Sequence, residues 1–114
     1  MKIAINKCYG GFSVTNAVTK LLKEKGVNIP DSSPLFKEDD GCHHLSNEDF
    51  GIEDNDYNKW RADKRLIEAI EEVGEEKSST RLSRIVIIDI PDDVEWEIDD
   101  YDGIESIHEV HRSW

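Results

Sequence analysis

The sequence predicts a small α+β fold, or a small α/β one: a three-stranded sheet carrying two main helices and a short C-terminal helix, in the order β-α-loop-α-β-β-α. Three observations predict it. Apolar residues recur at helical spacing in two stretches. A nearly unbroken β-branched run, "RIVIIDI", and an alternating one, "VEWEID", carry strand patterns. Finally, 114 residues with 37% apolar content can build one modest core, hence one domain over 1–114.

Each element has its own justification. In "KIAIN", Ile3, Ala4 and Ile5 suit a short buried strand. Ser13 is placed to cap a helix in which Val14, Ala17, Val18, Leu21 and Leu22 form one stripe, with Gly26 as its terminator. Asp63 caps a second helix with Leu66, Ile67, Ala69, Ile70 and Val73 inward and Glu68, Glu71, Glu72 and Glu75 outward. "RIVIIDI" reads as a central strand ended by Pro91. In "VEWEID", Val94, Trp96 and Ile98 face a core and Glu95, Glu97 and Asp99 face water. After the turn at "DG", the spacing of Ile104, Ile107, Val110 and His111 predicts a short helix.

Between Val27 and Ala62 the periodicity fades, and acidic, Ser and Asn residues dominate. Residues 27–62 are therefore a long acidic loop, or an insertion that folds back through Leu35, Phe36, Leu45, Phe50, Ile52, Tyr57 and Trp60.

The formal net charge of −12 disfavours direct binding to nucleic acid or to an anionic membrane. Its distribution is uneven: Ile85 to Glu109 holds ten carboxylates and no Lys or Arg, whereas Met1 to Lys25 holds five lysines and the single Glu24. Cations return at Arg61, Lys64 and Arg65, and again at Arg81 and Arg84. No apolar run is long enough to span a membrane, and Cys8 and Cys42 make no disulfide framework, so a soluble chain in a reducing compartment is expected.

The blocks "KIAINKCYGGF", "LIEAIEEVGEE" and "IPDDVEWEIDDYDGIESIHEVHRSW" together resemble a widespread group of short bacteriophage and prophage proteins without an assigned function. The likeness lies in the first 25 or so residues and the last 55. It implies a phage accessory protein acting in the cytoplasm of the bacterial host, in the setting of host defence, and assigns no activity.

"NKCYGGFSVTNAV" raises the main functional question. A strand, a glycine turn and a helix N-terminus bring backbone N–H groups and the positive helix end together, which suits an anion. Lys7, Gly10, Gly11 and Ser13 would form the cradle, Tyr9 and Phe12 could stack a base, and Arg61, Arg65, Arg84 and Arg112 could complete a phosphate clamp. The spacing is neither that of a P-loop nor that of a dinucleotide fingerprint, and a plain tight turn with packed aromatics accounts for the same residues.

Other constellations are weaker. Cys42, His43 and His44 with Asp39, Asp40 and Glu48, or His108 with His111, lack the paired spacing of a zinc site, so no metal or other cofactor is expected. The calcium-loop start at Asp54, Asp56 and Asn58 fails at Lys59 and Arg65. Cys8 with a distant histidine is thin support for catalysis, and binding is the expectation over an enzyme. Two functions follow: capture of a small anionic ligand, with sequestration of a nucleotide immune signal as its sharpest form, or an acidic inhibitor of the anti-CRISPR or anti-restriction type that imitates nucleic-acid phosphates on a host defence protein. Trp114 is expected to dock on the core or on another subunit of a homo-oligomer.

Overall fold

Two antiparallel two-stranded sheets and three helices make up the described part of the chain, which in this computed structural model comprises residues 1–8, 11–29, 43–53, 58–80 and 83–109, with the backbone alone at Glu109. The elements run β1 (Lys2–Asn6), α1 (Asn16–Glu24), α2 (Lys64–Val73), α3 (Glu75–Ser78), β2 (Ile85–Asp89), β3 (Trp96–Tyr101) and β4 (Ile104–Glu109), with short 3-10 turns at Glu48–Phe50 and Lys59–Ala62. The fold is α+β. No helix among the described residues is long and apolar enough to cross a membrane.

Strand alternation sorts the side chains into three layers. β1 pairs with β2 so that Ile3 lies opposite Ile88, Ala4 opposite Ile87 and Ile5 opposite Val86. Ile3, Ile5, Val86, Ile88 and Ile90 form one face, which packs against Trp96, Ile98 and Ile107 of the β3–β4 hairpin. Ala4, Ile85 and Ile87 form the other, which packs against Val18, Leu22, Leu66, Ala69 and Ile70 of the helices. The central layer is therefore apolar on both sides, which is why β2 reads as a continuous apolar run.

Three sequence expectations are corrected. The sheet is not three-stranded: β3 and β4 form a separate hairpin instead of extending β1 and β2. Nor is 104–109 helical. Asp102 and Gly103 both have positive φ (51° and 92°), and a two-residue Asp-Gly connection of this kind suits the right-handed twist of a hairpin, so Ile104–Glu109 returns as a strand with Tyr101 opposite Ile104 and Ile98 opposite Ile107. The cap of α1 is Thr15, not Ser13. Ser13 is fully buried with its hydroxyl on Thr80, while Val14 bridges to both His43 and Ser79 in extended backbone before the helix begins.

Other features agree with the sequence. Asp63 accepts from the Arg65 N–H at the start of α2, and the chain leaves α1 through Gly26 at a φ of 89°. From the segment 27–62, Phe50 and Trp60 enter the helix-side core, with Leu45 and Ile52 packed against it. Leu35, Phe36, Tyr57, Val110, His111 and Trp114 lie outside the described residues.

Candidate functional site

A buried ion pair organises the centre of the molecule. Arg61, 5% exposed, meets Glu105, 3% exposed, through two parallel bonds: Nη1 to Oε1 at 2.6 Å and Nη2 to Oε2 at 2.7 Å. The guanidinium carbon lies 4.1 Å from the centroid of Phe12 and 4.5 Å from that of Trp60, two rings set at 89° to each other. Such a corner of aromatic faces favours a cation that has lost its water. The pair also closes the outer edge of β1: Glu105 Oε1 accepts from the Asn6 N–H at 2.7 Å, and Arg61 Nη1 reaches the Ala4 carbonyl at 3.4 Å. Two side chains thus do what a neighbouring strand would do for these backbone groups.

Asn6 ties the same end together. Fully buried, it donates from Nδ2 to the carbonyls of Cys8 and Gly103 and accepts at Oδ1 from the N–H groups of Cys8 and Arg84. One amide therefore joins β1, the following loop, the start of β2 and the tip of the hairpin.

The residues expected to hold an anion are dispersed by this arrangement. Phe12 is buried against Arg61, and Ser13 is buried with no face to solvent. Arg61 is committed to Glu105. Arg65 is committed to Asp63 through Nε and Nη2, both at 3.0 Å, and to the Phe50 carbonyl at 2.7 Å. Gly11 has a φ of 86°, where a left-handed backbone favours glycine, but α1 begins only at Asn16, so the turn does not sit on the helix end. Lys7 and Arg84 do stay exposed, and they are cross-strand neighbours, with the Lys7 N–H donating to the Arg84 carbonyl at 2.8 Å. Tyr9, Gly10 and Arg112 lie outside the described residues.

At the start of α1 stands His43, whose Nε2–H donates to Asn16 Oδ1 at 2.6 Å. Burial, with Lys23 and His44 nearby, pushes its pKa below the usual 6.5. Folding therefore favours the neutral ring over the charged one. As pH falls through about 6.5 the unfolded chain takes up a proton here that the folded chain resists, so this contribution to stability is complete above that pH and shrinks below it. Urea midpoints measured at pH 7.5 and 5.5 are expected to fall further for the native chain than for His43→Gln. Equal falls in both would show that His43 is not the group responsible.

The outer face of the hairpin has a different character. Strand alternation puts Glu97, Asp99 and Tyr101 of β3 on one surface with Ile104, Ser106 and His108 of β4, and exposed Glu95 precedes them. Tyr101 is 75% exposed and is the one large hydrophobic so exposed among the described residues. Asp100 and Asp102 add charge at the tip. Asp99, His108 and Ser106 imitate a hydrolytic triad by composition, yet Asp99 Oδ2 at 2.9 Å and Ser106 Oγ at 3.2 Å both meet the same ring nitrogen, Nε2. A relay needs the two partners on opposite nitrogens, so this set gives the serine no activated base.

No group of three or more His, Cys, Asp or Glu side chains among the described residues could hold a metal ion. Sequence reasoning missed Glu105 and Asn6. The hairpin parity would have aimed Glu105 inward beside Ile107, but the helical reading of 104–111 hid that parity. No protein-family model, curated protein or solved structure matches this chain.

Proposed function

We propose that the protein acts by binding another protein through the acidic outer face of the β3–β4 hairpin, with Tyr101 as the anchor and a basic, nucleic-acid-handling groove as the surface it occupies. The carrying observation is the tyrosine exposed to 75% on a face lined by Glu97 and Asp99. Tyrosine is a frequent hot-spot residue, because a rigid amphipathic ring supplies contact area at little entropic cost. Successive acids on one strand face stand roughly 6.7 Å apart, a regular row of charges of the kind a basic groove meets along a phosphate backbone. In this proposal the groove belongs to a host nuclease or restriction enzyme, the class of defence protein that handles a phosphate backbone. Arg61 and Arg65, which a small anionic ligand would need, are already paired with carboxylates.

The test is protection of plasmid DNA from purified host restriction and CRISPR nucleases. Tyr101→Ala is expected to weaken protection by roughly 30-fold, corresponding to about 2 kcal/mol for a hot-spot residue. Glu97→Lys with Asp99→Lys should abolish it, and the affinity should fall steeply with salt. Full protection by both variants would overturn the proposal.

A second reading keeps one specific support. Lys7 and Arg84, exposed side by side at the end of β1 and β2, could hold a small anionic ligand such as a nucleotide signal. Loss of anti-defence activity in Lys7→Ala with Arg84→Ala, and not in the hairpin variants, would favour that reading.

A further inference from the structure

The strand edges of this fold are closed in three places and left open in one. Arg61 and Glu105 close β1, and the segment from Glu75 to Ser79 closes β2, where Ser79 Oγ accepts from the Ile85 N–H at 2.8 Å and Glu75 Oε2 from the Ile87 N–H at 2.6 Å. β4 lies against β1. On β3 the only partner strand is β4, and the parity of the hairpin fixes which backbone groups that pairing uses. Across the two-residue turn Tyr101 and Ile104 exchange hydrogen bonds, as do Asp99 with Ser106 and Glu97 with His108. The N–H and carbonyl groups of Trp96, Ile98 and Asp100 therefore point away from β4, and among the described residues no acceptor meets those N–H groups. Nothing described stands in the way of an approach: Glu97, Asp99, Asp100 and Tyr101 are exposed and Ile98 is half-buried. The edge is also held in place, because Trp96 and Ile98 pack on Ile3 and Ile5 of the central layer.

We infer that the outer edge of β3 takes up an extended basic segment of a partner protein by strand addition, with lysine or arginine opposite Glu97 and Asp99 and apolar residues opposite Trp96 and Ile98. The inference rests on the reading of the hairpin as a protein-binding surface and adds how the partner's backbone is held. Backbone hydrogen bonds to Trp96, Ile98 and Asp100 supply the affinity, and the alternating side chains select the partner. Charge decides the occupant. If a second copy of this chain paired antiparallel about a dyad at Ile98, Glu97 of each copy would face Asp99 of the other on the outer surface, and like charges directly opposite are destabilising. The same row of acids that turns away its own copy places a carboxylate opposite each cation of a basic strand, so the edge stays open without pairing indiscriminately. A preformed, rigid edge also loses little freedom when the added strand arrives.

The experiment is an amide NMR titration of the full chain with the acetylated, amidated peptide Thr-Lys-Val-Lys-Val-Thr. A control of the same sequence and charge is N-methylated on its first threonine and both valines, the residues that would donate to Asp100, Ile98 and Trp96. The first peptide should shift the Trp96, Ile98 and Asp100 amides and slow their exchange, and the control should bind at least about tenfold more weakly. Ile98→Pro removes an outward donor and no bond of the β3–β4 ladder, so it should weaken binding of the first peptide about tenfold, with a melting curve to verify folding. If that variant does not fold, the methylated control decides alone. Equal binding of the two peptides, undisturbed amides at Trp96, Ile98 and Asp100, unchanged binding by folded Ile98→Pro, or no binding of either peptide would each overturn the inference. The titration uses no nuclease, so the two readings fail separately. Peptide binding without plasmid protection strikes the nuclease as partner and keeps the edge; protection lost in Glu97→Lys with Asp99→Lys, together with equal binding of both peptides, strikes the edge and keeps the acidic face.

Discussion

Glu105→Ala is expected to unfold the protein or bring it close to unfolding, at a cost of about 3–5 kcal/mol, because it leaves the buried Arg61 guanidinium without its counter-charge. Against a total of about 5–15 kcal/mol for an ordinary domain, that is a large fraction. A buried pair can often be replaced by two apolar residues with little loss. Here it cannot, because Glu105 also accepts from the Asn6 N–H, and stranding that donor costs about 1–3 kcal/mol. Arg61→Met with Glu105→Leu should therefore remain destabilised. Arg61→Met with Glu105→Gln keeps an acceptor for Asn6, removes both charges, and should be the mildest of the three. Urea unfolding gives the order directly. A Glu105→Ala midpoint within the range of surface substitutions would refute the structural role of the pair.

Trp60→Ala is expected to cost about 3–5 kcal/mol, the scale of removing a buried aromatic. Trp60 is 4% exposed, stacks on Phe50 with centroids 5.8 Å apart and meets Phe12 edge-on at 5.1 Å. It also forms one wall of the Arg61 site, so its loss loosens the ion pair, and the costs of Trp60→Ala and Glu105→Ala should not add. The same substitution tests whether the long acidic segment belongs to the core. If Trp60→Ala melts like the native chain, that segment is a surface appendage. A large drop shows that its end is anchored in the core.

The two main helices, β1, β2 and the inward face of β3 were legible in the sequence because each carries its own periodicity. Val18 and Leu22 fall one helical turn apart on the stripe, Trp96 and Ile98 fall one strand repeat apart, and Asp63 is a capping residue at the position where a cap is needed. The short C-terminal strand was misread because Ile104 and Ile107 are spaced as a helix would space them. The local signal that decides against a helix is the Asp-Gly turn, whose two positive φ values commit the chain to return beside β3.

By itself the sequence determined what local periodicity and composition can determine: an α+β chain with two amphipathic helices, an acidic C-terminal third and a glycine turn after its first strand. Tertiary structure decided which charges are available. Arg61 and Glu105 lie 44 residues apart and look like any other surface cation and acid in the sequence, yet folding removes both from water and binds them to each other and to the edge of β1. Tyr101, whose ring would add apolar area to a core, is instead held at a hairpin tip in solvent. The physical reason is common to both: burial depends on which faces the sheets and helices turn toward each other, and pairing across long separations in the chain leaves no local pattern to read.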